Sequence, residues 1–512
     1  MNKVRIGMIG SGYIGRCHAI AYAQAPAVFA LKGEIIREML AEVNPELAAK
    51  QAATFGFARS TGDWRELVCD PNIDVVDICA PNFLHKEMAL AAIANGKHVY
   101  SEKPLSLTVA DAREMVEAAA KAGVKTLVGF NYMKNPTSQL AKEIIARGEI
   151  GEVVHFYGTH NEDYLAKPDT PLDWHCQKAL AGLGTLGDLA AHIVNMAHYL
   201  VGNIVEVSGD MMTVIRSRPD PKDLSRQLPV ENEDQASALL RFQNGAHGVI
   251  ETSRIACGAK MGLTYVVTGT KGTLRYTQER MAELELYLHD EPAGRQGFKT
   301  ILTGPAHPDY ASFCVSAGHG IGFNDQKTVE IRDLINGVAA GDRMWPDFAE
   351  GLQVQKVLEA IALSATERCW QAHVVISSQT LCPTTACPSR NNGHAGSPAG
   401  GTKRLTADNN VRLPVRRRTG SRLCIKVCCN YYQTSCRQAH VVISSQTLCP
   451  TTACPSRNNG HAGSPAVTNP APRASPECSA GSSPLYIPTT YRAENEAFLA
   501  RYKYRKGAAI YL

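Results

Sequence analysis

The chain has 512 residues, 44% of them hydrophobic and 20% charged, enough for two or more domains with cores of their own. Its net charge of +5 adds two unlike parts: residues 371–512 hold 17 Lys/Arg against four Asp/Glu, whereas residues 1–370 hold 36 against 44. No apolar run reaches the length of a membrane span and the opening MNKVRIGMIGSG lacks a signal-peptide pattern, so a cytoplasmic protein with no membrane partner is expected.

Residues 1–130 alternate short apolar runs with helical patterns: VRIGMIG, a helix from Arg16, IIREMLAEV, the helix NPELAAKQAATFG, IDVVDICA, the helix HKEMALAAIANG, HVYSE, the helix TVADAREMVEAAAKAG and KTLVGF. Strand–helix alternation of this kind predicts right-handed crossovers and a doubly wound parallel sheet, a Rossmann domain. GSGYIG sits between the first strand and the first helix, with Gly10, Gly12 and Gly15 in the dinucleotide-binding spacing and Tyr13 and Ile14 between them. Gly10 permits the turn, Gly12 lets the backbone approach a pyrophosphate, and Gly15 lets the helix pack on the strand. Glu42, at the tip of the second strand, suits free ribose hydroxyls and repels a 2′-phosphate, so NAD is expected and NADP is disfavoured. APNFLH and SEKPL lie at the carboxyl ends of the fourth and fifth strands, where open α/β sheets bind ligands. Pro81, Asn82, His85, Glu102 and Lys103 are therefore expected on the cofactor side of the cleft.

Beyond about residue 150 the rhythm changes to consecutive strand-like segments: GEVVHFYGTH, VEVSGDMMTVI, QASALLRF, AHGVIETSRI, LTYVVTGT, GTLRYTQ and ELELYLH. Residues 131–370 are expected to form an α+β domain with a large, mostly antiparallel open sheet, which a homodimer or homotetramer would cover. Ahead of most of these strands, GDLAAHIVNMAHYL reads as one helix. Leu189, Ile193, Met196 and Leu200 face a core, and Asp188, His192, Asn195 and Tyr199 form a second stripe along its margin.

After Trp370 the composition changes again. QAHVVISSQTLCPTTACPSRNNGHAGSPA occurs at 371–399 and, letter for letter, at 438–466, separated by a basic stretch. Structural repeats drift in sequence, so identity over 29 residues points to recent duplication or a gene-model artefact, and the composition of 371–512 predicts disorder. Nine of the 16 cysteines crowd this tail; the C-x4-C pairs Cys382/Cys387 and Cys449/Cys454, with irregular histidine neighbours, are a weak zinc signal, so no metal is expected, and no nucleic-acid partner. The other seven are dispersed, as reduced thiols are.

GSGYIG, APNFLH, SEKPL and GDLAAHIVNMAHYL together resemble the glucose–fructose oxidoreductase/inositol dehydrogenase (Gfo/Idh/MocA) family over about residues 1–370. Within it, NPELA, GFNY, TGPAHP, GIGF and FAEGLQV are most similar to members that oxidise an anhydrosugar at a ring hydroxyl. The resemblance implies an NAD-dependent oxidoreductase of a sugar, anhydrosugar, glycoside or cyclitol, with Lys103, Asp188 and His192 meeting at the substrate. In that set His192 accepts the hydroxyl proton, Lys103 stabilises the alkoxide, and Asp188 orients both the sugar and the His192 ring. Asn131, Tyr132, Glu162, Asp163, Trp174, His175 and Lys178 are the implied sugar contacts. Two alternatives stand beside this reading: an NAD-dependent glycoside hydrolase on the same fold, and a non-catalytic cofactor-sensing regulator, which would have no use for the lysine and histidine.

Overall fold

The protein is described by a computed structural model covering residues 2–367, 371–372, 415–416 and 422–423. The exact repeat and the expected disorder of the tail lie outside the described residues, apart from the short strand Gln371–Ala372 and a two-rung ladder between Val415–Arg416 and Arg422–Leu423. Among the described residues no helix is long and apolar enough to cross a membrane.

The first half runs β1 (Asn2–Ile9), α1 (Tyr13–Val28), β2 (Gly33–Ala41), α2 (Pro45–Phe55), β3 (Arg59–Thr61), α3 (Trp64–Cys69), β4 (Val75–Ile78), α4 (His85–Ala94), β5 (His98–Ser101), α5 (Val109–Ala122) and β6 (Thr126–Val128). All neighbouring strands pair in parallel, in the order β3-β2-β1-β4-β5-β6, the doubly wound arrangement that the alternation predicts. Val4, Ile6, Met8, Val75, Val76, Ile78, Val99 and Tyr100 are buried because helices cover both faces of the sheet. Two helices start where the sequence stops them from starting earlier. Asn44 caps α2 by accepting from the Leu47 N–H, and Thr108 caps α5 by accepting from the Asp111 N–H.

The second half contains α6 (Pro136–Ala146), β7 (Val153–Asn161), α7 (Lys178–Ala181), a π-helical turn (Leu186–Ala190), α8 (Ala191–Leu200), β8 (Ile204–Met212), β9 (Ser217–Asp220), β10 (Asp223–Pro229), β11 (Gln235–Phe242), β12 (His247–Ser253), β13 (Gly262–Gly269), β14 (Gly272–Thr277), β15 (Glu283–Leu288), β16 (Lys299–Leu302), α9 (Tyr310–Phe313), α10 (Phe323–Ala340), α11 (Phe348–Glu367) and β17 (Gln371–Ala372). Nine of these strands form one sheet in the order β16-β15-β14-β13-β7-β12-β11-β8-β17. It is antiparallel except at its centre, where β12 runs parallel to β7.

The inner face of this sheet packs on α8 and α11. Gly158 of β7 allows the closest approach, since a Cβ there would lie 2.7 Å from Cγ1 of Ile193. α10 turns back onto the first half, where Ile331, Leu334 and Ile335 join Val4, Ile6 and Tyr22 in one core cluster. Of the stripe read as the margin of the core, His192 (6% exposed) and Asn195 (2%) are inside it, while Asp188 and Tyr199 stay half-buried at its edge. Further along α8, the Asn195 amide donates to Glu350 Oε1 at 3.0 Å, and His198 Nδ1 faces the same oxygen at 2.9 Å. Glu350 on α11 thereby fixes the rotation of the helix that carries His192. Replacing Glu350 with Ala strands two buried polar groups and is expected to cost about 1–3 kcal/mol. Chemical denaturation checks this, and an unchanged midpoint with unchanged cooperativity contradicts it.

Candidate active site

The loop between β1 and α1 is built to take an anion. Gly10 has φ 97°, and a Cβ there would lie 2.5 Å from the Cys79 carbonyl oxygen; a Cβ on Gly15 would lie 2.3 Å from the Gly10 oxygen. A Cβ on Gly12, by contrast, would meet nothing within 4 Å. Gly12 is the N-cap of α1 and offers no side-chain acceptor, so the first-turn N–H groups at Tyr13 and Ile14 are left for a ligand. Tyr13 is 57% exposed and stacks on Phe323 at 6.2 Å. Glu42 leaves the end of β2 beside this loop, where its Oε2 accepts from the Ser11 N–H (3.1 Å) and hydroxyl (2.7 Å). Open glycine backbone, an uncapped helix start and a carboxylate at the second strand tip fit the pyrophosphate and ribose of a dinucleotide.

At the end of β4, Pro81 leads into a short 3-10 turn, Asn82–Leu84. Asn82 donates to the Ala181 carbonyl at 3.4 Å, tying this turn to α7. His85 does not present a free ring nitrogen to the cleft. Its Nε2 faces the Ala80 carbonyl at 2.8 Å and its Nδ1 the Pro104 carbonyl at 2.9 Å, so the ring fastens the ends of β4 and β5 together. Glu102 likewise points inward: it is 6% exposed and is held by His18 and Lys327. Neither residue has a polar group free for the direct cofactor contact expected of it.

Lys103 follows Glu102 and crosses the cleft. Its Nζ donates to Asp188 Oδ1 at 2.9 Å and to the Asp188 carbonyl at 2.8 Å. Tyr164 donates to the other carboxylate oxygen at 2.7 Å. Burial alone would push the Asp188 carboxyl up, but Lys103, His175 and the Tyr164 hydroxyl hold it well below the usual carboxylate range. Asp188 is thus a fixed anion, but it does not orient His192. The expected pairing across one helical turn fails because Leu186–Ala190 is a π-helical turn, whose different pitch takes Asp188 out of register with α8.

His192 is oriented instead by rings: Tyr132 at 4.5 Å, His160 at 5.6 Å and Phe130 at 5.8 Å between centroids. Burial pushes its pKa well below the ordinary imidazole value, and the charges of Lys103 and His160 push in the same direction. His192 is therefore neutral at neutral pH. His160, the penultimate residue of β7, was not singled out by the sequence. Its Nδ1 faces the Leu189 carbonyl at 2.8 Å, and its Nε2 faces Glu162 at 3.2 Å, which brings Glu162 to the edge of the same group. Tyr164 also went unassigned.

The remaining expected sugar contacts divide. Tyr132 touches His192, and Asn131, 1% exposed, donates to Gln326 beneath it. His175 lies against Trp174 at 3.7 Å and faces Tyr164 at 6.3 Å, while its Nδ1 bonds Asp173. Asp163 is taken up by Lys260 (2.6 Å) and the Gly258 N–H (3.1 Å). Lys178 lines a separate recess with Arg113, Lys356 and Glu359. Asp163 and Lys178 are thus not brought to the Lys103–Asp188–His192 group.

Comparison with known proteins gives the family. The family model described as an oxidoreductase family with an NAD-binding Rossmann fold matches residues 4–130, and the GFO/IDH/MocA C-terminal domain matches residues 138–275. Levoglucosan dehydrogenase of Pseudarthrobacter phenanthrenivorans is 39% identical over 382 residues, covering 72% of this chain and 98% of that protein. Myo-inositol 2-dehydrogenase of Thermotoga maritima is 33% identical over 299 residues, 57% of this chain and 80% of that protein. The structure of levoglucosan dehydrogenase in complex with NADH and levoglucosan superposes with a TM-score of 0.71 at 39% identity, covering 73% of this chain and all of that one. An NAD-binding oxidoreductase from Klebsiella pneumoniae, 45% identical, gives 0.70 over 73% of this chain and 99% of that one. An uncapped glycine loop at the cofactor end and a Lys–Asp pair beside a neutral histidine at the other therefore belong to one kind of enzyme: the chain is a member of the Gfo/Idh/MocA family of NAD-dependent dehydrogenases acting on sugar hydroxyls.

Proposed function

We propose that this enzyme oxidises a secondary ring hydroxyl of an anhydrosugar of the levoglucosan type, or of a closely related polyol, to the ketone. The observation that carries the reading is the placement of a lysine ammonium, a fixed carboxylate and a neutral imidazole within one largely shielded group at the carboxyl ends of the Rossmann strands. The near full-length likeness to levoglucosan dehydrogenase supports the sugar class. When bound, NAD supplies the acceptor for the hydride that leaves the carbinol carbon.

The chain's own groups handle the proton and the charge. His192 is uncharged, so it can accept the hydroxyl proton as the C–H bond breaks. The Lys103 ammonium, held at Asp188 Oδ1, stands where negative charge develops on the substrate oxygen. Asp188 and Tyr164 keep that ammonium in place, and the Tyr132 and Phe130 rings exclude water from the imidazole. An absorbance screen for NADH formation across anhydrosugars, aldoses and inositols tests the proposal. Reduction with none of them contradicts it.

Lys103→Ala and His192→Ala are each expected to lower turnover by about 100- to 10,000-fold, the range of a general acid/base group, with NAD binding by fluorescence quenching little changed. Because burial depresses the His192 pKa, the neutral, competent form persists below the ordinary imidazole range. The acid limb of turnover should therefore fall off only well below pH 6.5. A His192→Ala enzyme with normal turnover, or an acid limb centred on an unperturbed histidine, contradicts the assignment.

Glu42 is assigned the choice of NAD over NADP. Glu42→Ser should weaken NAD by about tenfold, the worth of one charge-assisted hydrogen bond, and improve NADP. Wild-type preference for NADP contradicts the assignment.

We further assign the oligomer to the outer face of the nine-stranded sheet. Register places Leu239, Val249, Tyr157 and Val266 side by side across it, with Leu239 51% exposed. A chain ending at Ala372, which keeps β17 on β8, should be a dimer or tetramer by light scattering and retain turnover. A monomer, or loss of turnover, contradicts the assignment of sheet or tail respectively.

A further inference from the structure

Behind the cleft lies a set of buried titratable groups that the reaction does not use. His18 on α1, Asp77 on β4, Cys79 and Glu102 just past the ends of β4 and β5, and Lys327 and Glu330 on α10 are each 7% exposed or less. His18 Nδ1 faces Asp77 Oδ2 at 2.9 Å and its Nε2 faces Glu102 Oε1 at 2.9 Å. Lys327 donates to the same Glu102 oxygen at 2.5 Å and lies 3.0 Å from Glu330 Oε2. Tyr22 donates to Asp77 and Tyr100 to Glu330, while the His18 ring stacks on Tyr100 at 4.7 Å. Ligand atoms of His18, Asp77 and Cys79 come within 4.8 Å of one another, but they are already hydrogen-bonded among themselves.

Charges this deep cost several kcal/mol each in lost hydration and persist only with partners in place. The network does more than balance itself, because one end reaches the catalytic lysine. Glu102 Oε2 accepts from the Lys103 backbone N–H at 3.3 Å. On its other side, Gly129 at the end of β6 presses against the carboxylate so closely that a Cβ there would lie 2.3 Å from Oε1. Lys327, His18, Gly129 and the Lys103 peptide thus hold Glu102 from four directions. The peptide it anchors is the one from which the Lys103 side chain spans to Asp188.

We propose that Lys327 is a positioning residue for the oxidation: reaching from α10 into the first domain, it clamps Glu102 and, through Glu102, holds Lys103 on Asp188. This deepens the dehydrogenase reading and rests on Lys103 serving at the substrate. Lys327 itself touches neither cofactor nor substrate.

The test uses the full chain without cofactor and measures acetylation of Lys103 by acetic anhydride at fixed pH, read by peptide mass spectrometry against exposed Lys3. Lys97→Met is the control. Lys97 is also buried, 8% exposed, and donates to the Asp70 and Ile73 carbonyls at the opposite end of β5. Both Lys327→Met and Lys97→Met should lower the melting temperature. Only Lys327→Met should speed Lys103 acetylation, by about 30-fold, the low end for releasing a buried, hydrogen-bonded charge pair, with turnover falling in step. Lys327→Met/Glu102→Gln, which removes this charge pair but still leaves Glu330 without its cation, should recover part of the stability and keep the fast labelling, and it carries the comparison if the single variant does not fold. Acetylation as slow as in wild type, or fast acetylation with unchanged turnover, overturns the proposal. If wild type itself reduces no NAD with any sugar, the dehydrogenase reading fails, while the acetylation comparison still decides the role of Lys327.

Discussion

The Asp188 carboxylate joins the two halves of the chain at the candidate active site. Lys103 reaches it from the end of β5 at 2.9 Å and Tyr164 from the loop after β7 at 2.7 Å. The lysine and aspartate side chains are only 17% and 24% exposed, so each needs the other: removal of one leaves a poorly solvated charge. The rest of the site is arranged so that this pair can exist. The Rossmann strands aim Lys103 at the cleft, the π-helical turn presents Asp188 to it, and α11 holds α8 from behind through Glu350.

The same arrangement separates the roles of an aspartate and a histidine only four residues apart. Asp188 sits among donors and stays an anion. His192 sits among rings and beside cations, and stays neutral. A regular helix would have stacked the two and let the carboxylate favour an imidazolium, which cannot take a proton from a hydroxyl. On the proposed mechanism the irregular turn is what keeps the base competent, in line with the frequent use of such turns at functional sites.

What could be read from the sequence was what is local. The strand–loop–helix around Gly10, Gly12 and Gly15 is written in adjacent residues, and the alternation up to Val128 follows from periodicity alone. The three-residue strand Arg59–Thr61 and the six-residue helix Trp64–Cys69 were passed over because they are too short to show a period. The parallel pairing of β7 with β12 joins segments about ninety residues apart and leaves no mark in either. His85 and Glu102 lie at the strand ends where ligands bind, yet side-chain direction, which sequence does not encode, sends both inward. Lys327 carried no signal at all, since a lysine in NDQKTVEIRDL reads as a solvated face until α10 is seen against α1. Asp188 and His192 both stand out in the sequence, but the expected contact between them is not made, because helical spacing assumes a regular helix.

The central claim is that hydride leaves a ring carbon of the substrate at the Lys103–Asp188–His192 group. Its most direct test is to incubate the wild-type enzyme with NAD and levoglucosan deuterated at its hydroxyl-bearing ring carbons, and to weigh the reduced cofactor by mass spectrometry. The account predicts one deuterium per NADH formed, with ketone accumulating in equal amount. Unlabelled NADH, or ring-deuterated sugar consumed with no net reduction of NAD, would contradict it.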